Sequence, residues 1–132
     1  MILSKHIINS LSDVFERHNK QVIFAYLFGS AAHDDMSTLS DIDIAVFLYE
    51  GNEKSYFDIK LALYADLCRN LHRNDIDVVV LNTTRNIILL DEIIRYGKVL
   101  YGRDSGLRMD FEHKVLHRAI DFKQQRFSIM GI

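Results

Sequence analysis

Val22–Phe28 reads VIFAYLF, an uninterrupted apolar run with β-branched and aromatic members that stops at Gly29. With no polar face to offer water, such a run fits a strand buried on both sides, and a strand of that kind requires a layered fold around it. Two further runs have strand character: Ile42–Leu48 (IDIAVFL), closed by the turn-like Glu50, Gly51 and Asn52, and Ile76–Leu81 (IDVVVL). Val99–Tyr101 is a short edge strand. The intervening segments carry the helical period. Leu3, Ile7, Leu11, Val14 and Phe15 recur at three and four, and Ile59, Leu63, Leu67 and Leu71 recur at four behind Ser55, the expected cap. Asp91–Tyr96 belongs to a helix that stops at Gly97, the expected C′ glycine. A last helix runs from about Leu107 through Phe111, Val115, Ala119 and Phe122, capped by Asp104 or Ser105. Residues 30–40 are small and polar and form a loop. Helices alternating with strands give an α/β fold, a mixed sheet flanked by helices.

The chain of 132 residues is long enough for one domain, 1–132, and not for two. At this size roughly two-thirds of the unfolded surface is buried on folding, so no disulfide or metal staple is needed. The lone Cys68 fits a small core residue. A hydrophobic content of 48% excludes a disordered chain. The formal charge of −2 argues against coating nucleic acid or an anionic membrane. No segment has the apolar length of a secretory leader or a membrane span, so the expected location is the cytoplasm. The near-neutral total hides an imbalance: between residues 29 and 58 stand seven acidic residues against the single Lys54.

That acidic stretch contains Asp41 and Asp43 at the head of the IDIAVFL strand. Side chains at i and i+2 share one face of a strand, roughly 7 Å apart along the chain. Two carboxylates so placed on an apolar strand repel one another and lose solvation unless a cation compensates. Magnesium suits them, being a hard cation usually held by one or two carboxylates together with substrate phosphates. Asp75 and Asp77 repeat the feature at the head of the next strand. Either could complete a three-carboxylate site, and Asp77 is favoured because the apolar strand follows it directly. Gly29 permits a tight turn and close backbone approach. Ser30 offers a hydroxyl and an N–H to an anion, and Ser40 either orients the aspartate loop or favours its turn.

The segment GSAAHDDMSTLSDIDI, with Gly29-Ser30, a ten-residue interval and Asp41-Ile42-Asp43, resembles the GSX10DXD signature of the DNA polymerase beta-like nucleotidyltransferase superfamily. The chain's size and its YGKVLYGRD element are similar to the minimal nucleotidyltransferase (MNT) branch. The resemblance implies transfer of a nucleoside monophosphate from an NTP to a hydroxyl with release of pyrophosphate. It implies that Asp41 and Asp43 bind two Mg²⁺ ions, that Asp77 aligns a metal and helps deprotonate the acceptor, and that Gly29 and Ser30 grip the triphosphate of ATP. Many MNT members read GSRARG; here Ala31 and His33 stand at the arginine positions and Asp34 at the glycine.

Single-domain MNT proteins resemble the antitoxins of HEPN–MNT toxin–antitoxin pairs. The implied activity is therefore a protein adenylyltransferase that silences a cognate HEPN ribonuclease by placing AMP on a hydroxyl, the implied residue being a tyrosine. The implied partners are that toxin and ATP, without membrane or direct nucleic-acid binding. Neutralisation by complex formation alone is the alternative, and small-molecule nucleotidyl transfer a further one. Arg108 and His113 match the R-x4-H spacing of HEPN ribonucleases, but too little chain remains for a HEPN bundle, and the match is a coincidence of a helix surface. The apolar tail Phe127, Ile129, Met130 and Ile132 either packs on the domain or docks a partner.

Overall fold

The computed structural model describes residues 2–29, 32 and 41–130, with side chains from 7 to 126 among these. Among the described residues eight elements follow in order: α1 (Ile2–Arg17), β1 (Val22–Phe28), β2 (Ile42–Leu48), α2 (Glu53–Leu71), β3 (Ile76–Val80), α3 (Ile87–Tyr96), β4 (Lys98–Gly102) and α4 (Ser105–Met130). The strands form one mixed sheet in the order β3-β2-β1-β4. β1 is antiparallel to both β2 and β4, and β2 is parallel to β3.

All seven residues of β1 are buried, as an unbroken apolar run in an inner strand requires. Alternate side chains feed two cores. Ala25 and Leu27 of β1, with Ile42, Ile44 and Val46 of β2, pack under α1 and α2 through Leu11, Val14, Phe15, Leu63 and Leu67. Phe24, Tyr26 and Phe28 turn to the opposite face, where Leu90 and Ile93 of α3 and Val115 of α4 cover them. Cys68 lies half-buried against the first of these cores, as expected.

Helix ends differ from the expected caps in two places. Asn52, not Ser55, caps α2: its side-chain oxygen accepts from the Ser55 N–H at 2.8 Å, while the Asn52 N–H donates to Ser55 Oγ at 3.0 Å. This reciprocal capping box satisfies two backbone donors and starts the helix before Ser55. Gly97 follows α3, but its φ is −72°, so it is not a left-handed C′ residue. A side chain is excluded there for a different reason, because a Cβ would run into the Ile93 carbonyl and crowd that of Leu27. Asp104 caps α4, accepting from the Leu107 N–H at 3.0 Å, which decides between the two expected candidates.

β4 is an edge strand, as expected. The third run leaves the strand at Val80, although the Leu81 N–H still donates to the Val46 carbonyl at 2.8 Å. Arg108 pairs with Glu112, and His113 stacks edge-on against His117, which makes the R-x4-H match part of the α4 surface. The backbone of α4 continues to Met130, and the side chains of the apolar tail lie outside the described residues. Among the described residues no helix is long and apolar enough to cross a membrane.

Candidate active site

The parallel pairing of β2 and β3 sets Asp43 directly beside Asp77, while the antiparallel pairing of β1 and β2 sets Phe28 beside Asp43 from the other side. One row across the sheet thus reads Phe28, Asp43, Asp77. Asp43 shares its face with Ala45 and Phe47, and Asp77 with Val79, all of which pack in or against the core under α3 and α4. Both carboxylates therefore leave the sheet on that same face, as the i, i+2 alternation of strands dictates.

Gly29 follows Phe28 and closes the row. Its φ of +72° lies in the left-handed region, which glycine adopts without steric cost. A Cβ at this position would also collide with the Asp43 carboxylate. The glycine thus meets two requirements at once, a turn out of β1 and room for Asp43.

Asp43 is half-buried, and its pKa is raised, first by burial and then by the negative charges of Asp77 and Asp41. Two neighbouring carboxylates within electrostatic reach and a partly desolvated site make the ionised form costly. Asp41 is exposed at the entrance to β2, and Asp77 is exposed in β3. Among the described residues no three His, Cys, Asp or Glu side chains converge into a group that would hold a metal ion unaided. The oxygen-only donor set and its uncompensated charge nonetheless fit a hard divalent cation whose remaining ligands come from phosphate and water.

Asp75 has a different partner. Arg73, two residues earlier, donates from both Nε and Nη2 to its two carboxylate oxygens. That bidentate pair holds Asp75 below the usual carboxylate range. The backbone of Asp75 also serves the sheet, its carbonyl accepting from the Ile42 N–H at 3.0 Å. The shared parity of Asp75 and Asp77 therefore separates in space: Arg73 neutralises one, and Asp43 faces the other. Arg73 also feels the charge of Asp41, and no motif in the sequence marks it for this place. Ser30 and Ser40, with Ala31, His33 and Asp34, lie outside the described residues.

A glycine turn packed against a carboxylate in a row of strand-borne aspartates is an arrangement suited to phosphate and metal together. The sequence profile described as polymerase beta, nucleotidyltransferase, matches residues 9–106. The chain belongs to the polymerase beta nucleotidyltransferase family. This nucleotidyltransferase superposes on a chain of a toxin–antitoxin complex crystallised with AMP-PNP, at a TM-score of 0.75 and 23% identity, covering 94% of this chain and 95% of that one. The MntA–HepT toxin–antitoxin structure matches at 0.69 and 22%, covering 96% of each chain. A tri-AMPylated Shewanella oneidensis HEPN toxin in complex with MNT antitoxin matches at 0.69 and 22%, covering 97% of this nucleotidyltransferase and 96% of that chain. Likeness at these identities establishes a shared fold. No curated protein sequence matches the nucleotidyltransferase.

Proposed function

We propose that this nucleotidyltransferase is an antitoxin-type, Mg²⁺-dependent protein adenylyltransferase. It would move AMP from ATP to a tyrosine hydroxyl of a cognate HEPN ribonuclease and thereby neutralise that toxin. The observation that carries the reading is the row of Gly29, Asp43 and Asp77 in a domain of this family. Two neighbours add support, one crystallised with AMP-PNP and one containing an AMPylated HEPN toxin.

Asp41 and Asp43 are the residues that would hold the magnesium ions, with Asp77 aligning one of them. When bound, the metal supplies charge neutralisation at the α-phosphate and at the departing pyrophosphate. The chain's own residues supply placement. Gly29 lets the backbone after β1 approach the triphosphate, and Ser30 and Ser40 are proposed as polar contacts to it. Asp77 is proposed to accept the acceptor's proton, and Asp75 is left out of the metal set because Arg73 already occupies it. The proposal treats residues 1–132 as one catalytic domain acting in the cytoplasm.

Mass spectrometry of the HEPN partner, co-expressed with the wild type and with Asp41→Ala plus Asp43→Ala, tests this reading. AMP on a tyrosine with the wild type alone is the expected result. A second reading, neutralisation by complex formation with little chemistry, is favoured by one observation: Ala31 and His33 stand where many MNT members carry arginines. Full neutralisation of the toxin in cells by the double aspartate variant is the outcome that would select it.

A further inference from the structure

α4 packs on the sheet through Phe111 and Val115, and its opposite side is turned to solvent. On that side stand His113 and His117, one turn apart and both exposed. Their rings meet edge-on with centroids 4.6 Å apart, and neither ring has a hydrogen bond or an ion pair among the described residues. Histidines four apart on a helix point the same way and can take one metal ion between them, the spacing by which helical pairs bind zinc. Zinc holds two such nitrogens roughly 3.3 Å apart, a separation that rings already in contact reach by turning about their side-chain bonds. Imidazole nitrogen suits zinc, whereas Mg²⁺ takes oxygen. The pair is therefore chemically distinct from the aspartate row.

One chain does not complete the coordination shell. Two imidazoles fill half of a tetrahedral zinc site, and among the described residues no third His, Cys, Asp or Glu joins them. Asp110 and Asp121 flank the pair, but each lies about 10–12 Å along the axis from the further histidine, too far to share its ion.

The same side of α4 shows what completes it. Met109 and Ile120 are 61% and 50% exposed. With the half-buried Leu116 they place apolar residues around His113 at spacings of four, three and four, the period of a seam between two helices. Two heptads are too few to hold such a pair together unaided, so the seam needs a second tie, which a shared metal ion provides.

A second copy of the chain offers both parts at once. With a two-fold axis passing level with Val115 and the helices antiparallel, each His113 comes to within about one residue rise, ~1.5 Å, of the level of His117 in the other copy. Four imidazoles then converge on the axis, and Met109 of each copy comes opposite Ile120 of the other. A parallel pairing would set Asp110 against Asp110 and Asp121 against Asp121, and like charges face to face are costly. We propose that His113 and His117 form half of a zinc site that joins two copies of this chain through antiparallel α4 helices. The site uses no residue of the aspartate row and does not depend on the nucleotidyl-transfer reading above.

The test uses the full chain without a histidine tag, stripped with EDTA, its mass followed by sedimentation. The protein should be a monomer in EDTA and with Mg²⁺ alone, and Zn²⁺ should convert it to a dimer that saturates at one ion per two chains. His113→Ala and His117→Ala should each abolish the zinc-dependent dimer while leaving the Tm in EDTA unchanged, because both side chains are exposed. Ile120→Glu should weaken the dimer by roughly tenfold or more. A dimer that persists in EDTA, or that survives either histidine variant, would overturn the proposal. Saturation at one ion per chain without a change of mass would overturn it as well, and so would an Ile120→Glu variant that dimerises like the wild type. A zinc-dependent complex that forms only with the HEPN partner would overturn it in favour of a site shared by two different chains.

Discussion

Asp43 and Asp77 are register partners in the parallel β2–β3 pairing and share a face of the sheet, with Gly29 closing on Asp43 from the β1 side. Burial and the two nearby aspartates raise the Asp43 pKa, so the fold disfavours the ionised form. A carboxyl raised in this way costs no stability below the ordinary carboxylate range, and the cost grows as pH rises through that range. Asp43→Asn should therefore raise the Tm of the metal-free protein at neutral pH by a few degrees and leave it unchanged in acid. The same variant should lose the stabilisation by Mg²⁺ and AMP-PNP. Thermal melts at several pH values, with and without the analogue, check both halves.

Gly29→Ala should be harmful twice over. The residue sits at φ +72°, and its Cβ would meet the Asp43 carboxylate. Forcing a side chain into that conformation costs on the order of 1–3 kcal/mol. Urea denaturation should show a loss of this size, and binding of the ATP analogue should fall because Asp43 must move. Retained stability together with retained analogue binding would contradict the geometry of the turn.

The two helices under the first core are tied by Asp66 of α2, which accepts from Arg17, the last residue of α1, at 3.3 Å and from Nε2 of His18, just after it, at 2.9 Å. These bonds, the one to His18 foremost, hold the Asp66 pKa below its ordinary value. A depressed carboxylate contributes stability above its unfolded pKa, and that contribution is lost as pH falls through the folded value. Asp66→Asn should thus cost about 1 kcal/mol near neutrality. The gap to the wild type should close below the usual carboxylate range, as measured by denaturant midpoints against pH.

A polar contact at the second core fastens α4 to the sheet. The Tyr26 hydroxyl donates to Glu112 Oε2 at 2.7 Å, and Arg108 donates to the same oxygen at 3.2 Å. Burial, followed by the bond to Glu112, pushes the phenol far above its ordinary range. Tyr26→Phe leaves the Arg108–Glu112 pair but removes a hydrogen bond to a charged group, worth about 1.5–3 kcal/mol. Stability should fall by that amount with nucleotidyl transfer unaltered, because the Tyr26 hydroxyl is committed to Glu112 of α4 and the ring stays in place.

Much of this was readable in the residues because it is local. An apolar run such as VIFAYLF can satisfy itself only inside a sheet, and the Gly-Ser and Asp-x-Asp pattern carries its own spacing. What escaped the sequence depends on meetings between distant or competing groups. Ser55 is a good capping residue, but Asn52 takes the cap and leaves Ser55 as the reciprocal partner in the box. Gly97 has the sequence position of a left-handed helix stop, yet the neighbouring carbonyls, not its φ, exclude a side chain. Asp75 and Asp77 are indistinguishable by strand parity; only the placement of Arg73 and Asp43 separates them.

Transfer of the α-phosphate is the most direct measurement of the central claim. The purified nucleotidyltransferase, Mg²⁺ and its HEPN partner would be incubated in parallel with ATP labelled at the α- or the γ-phosphate. The account predicts that the α-label becomes covalently attached to a toxin tyrosine, that the γ-label appears only in pyrophosphate, and that Asp41→Ala plus Asp43→Ala abolishes both. Attachment of the γ-label, or α-labelling that survives loss of the two aspartates, would contradict it.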